Sequence, residues 1–317
     1  MAKHTKITPP GKSLIERAEG LFGQATDFHA APVPSDLAPP VNRRKVRRAK
    51  PVDASPDAAE SKSEPVFEDV AFPEKVYEID REALALHGLI QPDGAVSALL
   101  EEFRIVKRQV LQSVRKARDN GSGALAQRVL VCSPLPAEGK SYCAVNLALA
   151  MAAEKDSEVL LVDADFAKPS VLSMLGLPRG PGFMDVLARD DIAVEECVMR
   201  TDVAGLHVLP AGNHTTSDSE FLASTRTAEV LDRLTRAAPG RIVIFDTSPA
   251  LAASPAAELA NHVGQALVIA RADRTGQSAL EDALTLLSAC PDLKLLLNAA
   301  HFSPSGRRFG AYYGEEG

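Results

Sequence analysis

Residues 128–151 read RVLVCSPLPAEGKSYCAVNLALAM: a short apolar run, a loop that ends in Gly-Lys-Ser, and a second apolar run with helical spacing. RVLVCS (128–133) has the length and composition of a buried strand, and NLALAMA continues a helix that opens near Lys140. A strand, a tight loop and a helix in that order form the setting for a phosphate-binding loop. Glycine lets the backbone approach an anion, successive N–H groups cradle it, and the helix N-terminus adds positive potential. In this setting Lys140 is placed to reach the β- and γ-phosphates of a nucleotide, and the Ser141 hydroxyl to bind Mg²⁺. Pro134 stands where the full G-x-x-x-x-G-K-[ST] pattern has its first glycine.

On either side the same alternation continues. Strand-like runs EVLLVD (158–163), LHVLPA (206–211), RIVIFD (241–246), QALVIA (265–270) and LKLLLN (293–298) are separated by helical stretches at 140–153, 219–237, 254–261 and 277–288. Ahead of them lie a short helix over 80–89 and a long amphipathic helix over 95–118. The latter carries Val96, Leu99, Leu100, Phe103, Val106, Val110 and Val114 at helical spacing. Near-continuous apolar strands alternating with helices predict an α/β fold with a mostly parallel sheet covered on both faces, here a P-loop NTPase. In such sheets ligands bind beyond the carboxyl ends of the strands. Asp163 and Asp165 in LLVDAD and Asp246 in IVIFDTSP end two of these strands, so their carboxylates converge on the phosphates. There they can hold Mg²⁺ and orient or deprotonate an attacking nucleophile.

Composition narrows the alternatives. The chain has 317 residues, 35 Lys and Arg against 42 Asp and Glu, and a net charge of -7. That balance points to no nucleic-acid partner. No apolar run reaches the about 18 residues of a membrane span, and MAKHTKITPP lacks the apolar core of a signal peptide. The four cysteines (132, 143, 197, 290) form no C-x-x-C pair and read as reduced core residues. The seven histidines form no zinc motif. Ten of the 22 prolines fall in the first 73 residues, which predicts a disordered N-terminal linker over 24–78. A short amphipathic helix precedes it within 1–23, opened by the Ser13/Glu16 capping box. The basic run NRRKVRR (42–48) with Lys50 is either a solvated charge run or a contact for an anionic surface. The expected organisation is completed by a P-loop domain over 79–302 and a flexible tail over 303–317.

The stretches SPLPAEGKSYCAVNLA, VLLVDADFAKPS and VIFDTSPAL together resemble the Walker A, Walker A′ and Walker B motifs of the bacterial protein-tyrosine kinases. These are relatives of the ParA/MinD ATPases, and the similarity is strongest to the tyrosine autokinases of exopolysaccharide and PEP-CTERM loci. It extends through EEFRIVKRQVL (101–111), GFMDVL (182–187), LPAG (209–212) and the terminal tyrosines. The resemblance implies ATP and Mg²⁺ as cofactors, with Ala137, Glu138, Gly139, Lys140, Ser141, Tyr142 and Asn298 in contact with the nucleotide. It implies Lys140, Asp163 and Asp165 as catalytic residues, Asp163 being the base, and Ser141, Asp163 and Asp246 as metal ligands. Glu101, Arg104 and Lys107 match, with Lys for the last Arg, the element through which such kinases assemble into rings. Further implied partners are a membrane-embedded polysaccharide co-polymerase that activates the kinase and an opposing tyrosine phosphatase. The implied location is cytoplasmic, peripheral at the inner membrane through a partner. Ala137 departs from the glycine usual in that loop, and Ala167 and Lys168 depart from an Arg-rich Walker A′ end.

Two of the four tyrosines, Tyr312 and Tyr313, lie in the last six residues, within the stretch FGAYYGEEG (309–317), and are the expected phosphoacceptors. A glycine-rich tail can enter a neighbouring subunit's site, which a core tyrosine cannot. Added phosphate beside Glu315 and Glu316 then favours release from a carboxylate-lined site. Two other readings remain open on sequence: a ParA/MinD-like ATPase switch, and a nucleotide-binding adaptor without kinase activity. The tail is neither basic nor helical in pattern, unlike the membrane helix that closes MinD-type ATPases.

Overall fold

The computed structural model describes residues 72–154, 158–236 and 238–300. The expected N-terminal helix, most of the linker with its basic run, and the tail with Tyr312 and Tyr313 lie outside the described residues.

Eight strands form one sheet: β1 (Val76–Tyr77), β2 (Arg128–Cys132), β3 (Glu158–Ala164), β4 (Met199–Thr201), β5 (Leu206–Leu209), β6 (Arg241–Thr247), β7 (Gln265–Arg271) and β8 (Leu293–Asn298). Their order is β1-β4-β5-β3-β6-β2-β7-β8. From β5 to β8 every neighbour pair is parallel, whereas β4 runs antiparallel to β5 and carries β1 with it. The parallel α/β expectation therefore holds for six strands, and the sheet turns over at one edge. β1 lies ahead of residue 79, where the globular domain was expected to start, and its Val76 pairs with Arg200.

The strands sort their side chains by parity. Val129, Val131, Val159, Leu161, Ile242, Ile244, Leu267 and Ile269 face one layer. Leu130, Leu160, Val162, Val243, Phe245 and Val268 face the other. Both faces are buried, so the strands are apolar throughout and show no alternation in sequence. Burying each such side chain contributes about 1.5–3 kcal/mol.

Helix Lys140–Ala152 crosses the first face and is buried along its length from Cys143 onward. Helix Ala98–Asp119, capped by the Ser97 hydroxyl, lies over it with Phe103, Lys107, Val110 and Val114 turned inward. A strap spanning 79–95 also docks on helix Lys140–Ala152. Asp80 caps its short helix Arg81–Leu86, and Leu84, Leu89 and Ile90 are buried. Two hydrogen bonds tie the strap down: Ile90 N–H to Asn146 Oδ1 at 2.9 Å, and the Tyr142 hydroxyl to the Gly88 carbonyl at 3.1 Å. Asn146, the one polar residue inside the apolar helical run, is thus an anchor and not a flaw in the core.

All four cysteines are free and buried. Cys132 closes β2 and Cys143 sits in the first turn of helix Lys140–Ala152, and burial pushes both thiols up to about 12. No described helix is long and apolar enough to cross a membrane.

Candidate active site

The loop between β2 and helix Lys140–Ala152 begins under a staple. The carbonyls of Ser133 and Pro134 accept from Ala250 N and Leu251 N, which follow β6, at 2.8 and 3.2 Å. The loop then needs two left-handed residues: Ala137 with φ +60° and Gly139 with φ +93°. At Gly139 the positive φ favours glycine, and a Cβ would come within 2.1 Å of Asn298 Nδ2 and displace that side chain. At Ala137 a side chain is held in a conformation that glycine adopts at lower cost. The departure from the family pattern noted above is therefore a site of backbone strain.

Lys140 opens the helix and donates to Asp165 Oδ2 at 2.7 Å, with Ser141 Oγ at 3.3 Å from the same nitrogen. Burial opposes its charge, but Asp246, Asp165 and Asp163 more than restore it, so its pKa is raised. The three aspartates come together as expected, and their environments differ. Asp163 and Asp246 are direct partners across the β3–β6 ladder. Asp163 is fully buried. One of its oxygens accepts from Asp165 N at 3.2 Å and the other from Ser170 N and Val171 N, both at 3.0 Å. It thereby holds the turn that leads into helix Val171–Leu175, yet burial outweighs those bonds and pushes it up to about 6. Asp246 is also fully buried, and neither of its carboxylate oxygens has a hydrogen-bond partner. Burial pushes it up to about 7 against the pull of Lys140; the nearby Ser141 side chain favours its charged form without completing a regular hydrogen bond.

A buried carboxylate with both oxygens unpartnered, next to a serine hydroxyl, is a donor set suited to a hard cation. Among the described residues no three His, Cys, Asp or Glu side chains could hold a metal by themselves. Mg²⁺ takes one or two carboxylates and completes its shell with water and phosphate oxygens.

Other expected site residues are placed less simply. Asn298 ends β8 and donates its amide to the Glu138 carbonyl at 2.9 Å, so it braces the loop. The Tyr142 hydroxyl points to the strap. Glu101 and Arg104 pair with each other on the outer face of helix Ala98–Asp119. Lys107 is only 8 % exposed and binds the Ala150 carbonyl at 3.1 Å and Glu154 at 2.9 Å. Its charge is spent at the C-terminus of helix Lys140–Ala152, where a cation is favoured, and not on an outer surface. Two site residues escaped the sequence reading. Arg271 closes β7 and donates through Nη1 to the Ala137 carbonyl at 3.2 Å, and the Thr275 hydroxyl bonds to Glu138. Their one visible signal was position: Arg271 ends a core strand and Thr275 lies in the loop that follows it.

No family model matches the chain. Among curated proteins it is similar to the EpsB protein of Ralstonia nicotianae, 36% identical over 170 residues, or 52% of this chain and 22% of that protein. It is also 31% identical over 188 residues to tyrosine-protein kinase YwqD of Bacillus subtilis, covering 59% of this chain and 77% of YwqD. The chain spans about a quarter of the length of three of the curated relatives it matches, 22–24%. Among solved structures, the kinase domain of Escherichia coli tyrosine kinase ETK shares the fold, with a TM-score of 0.51 at 23% identity over 57% of this chain and 70% of that one.

Proposed function

The chain belongs to the bacterial tyrosine-protein kinases, and on that premise we propose that it is an ATP-dependent autokinase that transfers the γ-phosphoryl group to Tyr312 and Tyr313. One observation supports this above the others. At the mouth of a phosphate loop, Lys140 is paired with Asp165 and faces Asp246, a fully buried carboxylate without a hydrogen-bond partner. Such a carboxylate is costly unless a cation completes it.

In the proposed reaction the loop amides and Lys140 hold the β- and γ-phosphates, and Ser141 with Asp246 would hold Mg²⁺; Asp163, expected as a third ligand, has both oxygens engaged by backbone N–H groups. When bound, the ion neutralises charge on the phosphate oxygens. A tyrosine Oη attacks phosphorus in line, the bond to the β-phosphate oxygen breaks and ADP leaves; the phenolic proton passes to Asp163. Raised to about 6, Asp163 is a stronger base than an exposed aspartate and still ionised at neutral pH. Asp165 keeps Lys140 oriented. Catalysis here is positioning and electrostatic stabilisation, with no covalent intermediate.

The acceptor tyrosines come from a neighbouring copy in a ring in which Glu101, Arg104 and Lys107 take part; Lys107 contributes by setting the helix and not by direct contact. The kinase regulates exopolysaccharide synthesis or export from the cytoplasmic side of the inner membrane. It is activated there by a membrane-embedded co-polymerase and reversed by a tyrosine phosphatase. Purified protein incubated with Mg²⁺ and ATP gains phosphate on the C-terminal peptide, read by mass spectrometry, and Lys140→Met loses it. Full labelling of the Met variant would overturn the assignment, and release of free phosphate without labelling would favour a ParA-like switch.

A further inference from the structure

Glu138 is 1 % exposed, and among the described residues no cation lies within ion-pair distance of it. A carboxylate buried in that way is destabilising unless hydrogen bonds satisfy it. Both oxygens are engaged. One accepts from Leu135 N at 2.7 Å, three residues back in the loop. The other accepts from the Thr275 hydroxyl, which itself accepts from Arg271 N at 2.8 Å. An unbroken chain of hydrogen bonds thus runs from the carboxyl end of β7, through a threonine and the glutamate, into the start of the phosphate loop.

Two further bonds leave the same region. Arg271 Nη1 donates to the carbonyl of Ala137, and Asn298 Nδ2 to the carbonyl of Glu138. In a trans peptide the C=O and the following N–H point in opposite directions. Holding the carbonyls of 137 and 138 toward the ends of β7 and β8 therefore turns the N–H groups of Glu138 and Gly139 the other way, into the concave side of the loop. Ala137 would not hold its left-handed conformation unaided, since that conformation costs an alanine about 1–2 kcal/mol.

We propose that Glu138 is a positioning residue which, with Thr275 and Arg271, locks the phosphate loop in its anion-binding shape before the nucleotide arrives. The inference rests on the reading of this loop as an ATP site. Glu138 is thereby removed from the nucleotide contacts and becomes their support. Thr275 and Arg271, remote in sequence, become determinants of nucleotide affinity. Preorganisation of this kind acts on substrate and transition state alike, so its loss raises KM and leaves kcat in place.

The test uses Thr275, which is half-buried in a loop, so that folding is spared. Thr275→Val keeps the shape and deletes the hydroxyl, and Thr275→Ser restores it. Titration of the full chain with Mg²⁺-ATP is expected to give a Kd roughly tenfold weaker for Val and near the wild type for Ser, the loss typical of one hydrogen bond to a charged group. The nucleotide-free melting temperature should fall by a few °C in Val, where the buried Glu138 loses one bond, and return in Ser. Arg271→Ala should weaken binding several-fold. Equal affinity of Val and wild type overturns the proposal, and so does a loss in Val that Ser fails to recover. A wild type that binds Mg²⁺-ATP yet labels no tyrosine refutes the kinase reading, while the ratio of affinities still decides the clamp. A wild type that binds no ATP overturns both.

Discussion

Asp246→Asn should make the nucleotide-free protein more stable while removing its activity. The carboxyl has an ordinary value of 3.8 and is pushed up to about 7 in the folded chain, by burial first and by the charge of Asp163. A group that holds its proton more tightly when folded contributes stability that is complete below the unfolded value. That stability is lost as pH rises through the folded one. At pH 8 the carboxylate is ionised in both states, and the displacement from 3.8 to about 7 corresponds to about 4 kcal/mol spent on keeping it charged inside. An amide in its place leaves a neutral dipole without partners, costing about 1–2 kcal/mol. The net gain is then about 2–3 kcal/mol, or roughly 5–10 °C in melting temperature for a domain of this size. Near pH 5 the native Asp246 is protonated while the unfolded carboxyl is still ionised, so the cost falls to about 1.6 kcal/mol, close to that of the unpartnered amide, and the difference should shrink to about zero. Thermal unfolding in EDTA across pH 5–8 measures this, with tyrosine labelling as the companion assay. A variant no more stable than the wild type at pH 8, or a difference independent of pH, would refute the reasoning that Asp246 is a buried charge awaiting a cation.

Ala137→Gly should run against the usual effect of glycine. Relief of the left-handed strain, about 1–2 kcal/mol, exceeds the about 0.4–1 kcal/mol of added unfolded-state entropy, so chemical denaturation should show a gain of about 0.5–1 kcal/mol. Asn146→Ala leaves Ile90 N–H buried without an acceptor and should cost about 1–3 kcal/mol. Hydrogen exchange should quicken first at residues 88–90. Lys107→Met removes a buried cation from the carbonyl of Ala150 and from Glu154. A fall in stability of the isolated subunit, measured below the concentration of any assembly, would confirm that its first task lies within the subunit.

The central strands were legible because burial on both faces leaves them nearly uniformly apolar: RIVIFD over 241–246 lies within β6, buried at every position. β1 and β4 were not, since two and three residues carry no periodicity. Their reversed direction depends on which edge is free and not on local preference. The expected helix over 219–237 is two helices, Asp218–Leu222 and Thr225–Arg236. The hydroxyls of Ser224 and Thr227 take the Phe221 carbonyl and compete with the helical ladder. In the site, Lys140 and the three aspartates could be read because their meaning lies in adjacent residues and in strand ends. Thr275 could not, because a single hydroxyl meets Glu138 across 137 positions of sequence. Lys107 shows the opposite case: a residue matched to a surface motif is drawn inward by a helix terminus that only the packing reveals.

The burial of the thiols gives this protein a built-in clock. Cys132 and Cys143 flank the phosphate loop on its two sides and, with values near 12, are chemically silent in the folded state. Alkylating reagents or peroxide can reach them only when the site opens. The rate at which Cys132 and Cys143, resolved from Cys197 and Cys290 by peptide mapping, take up a thiol label therefore counts opening events at the phosphate loop. Nucleotide, metal or a neighbouring copy that steadies the site should slow the count, with no engineered probe added.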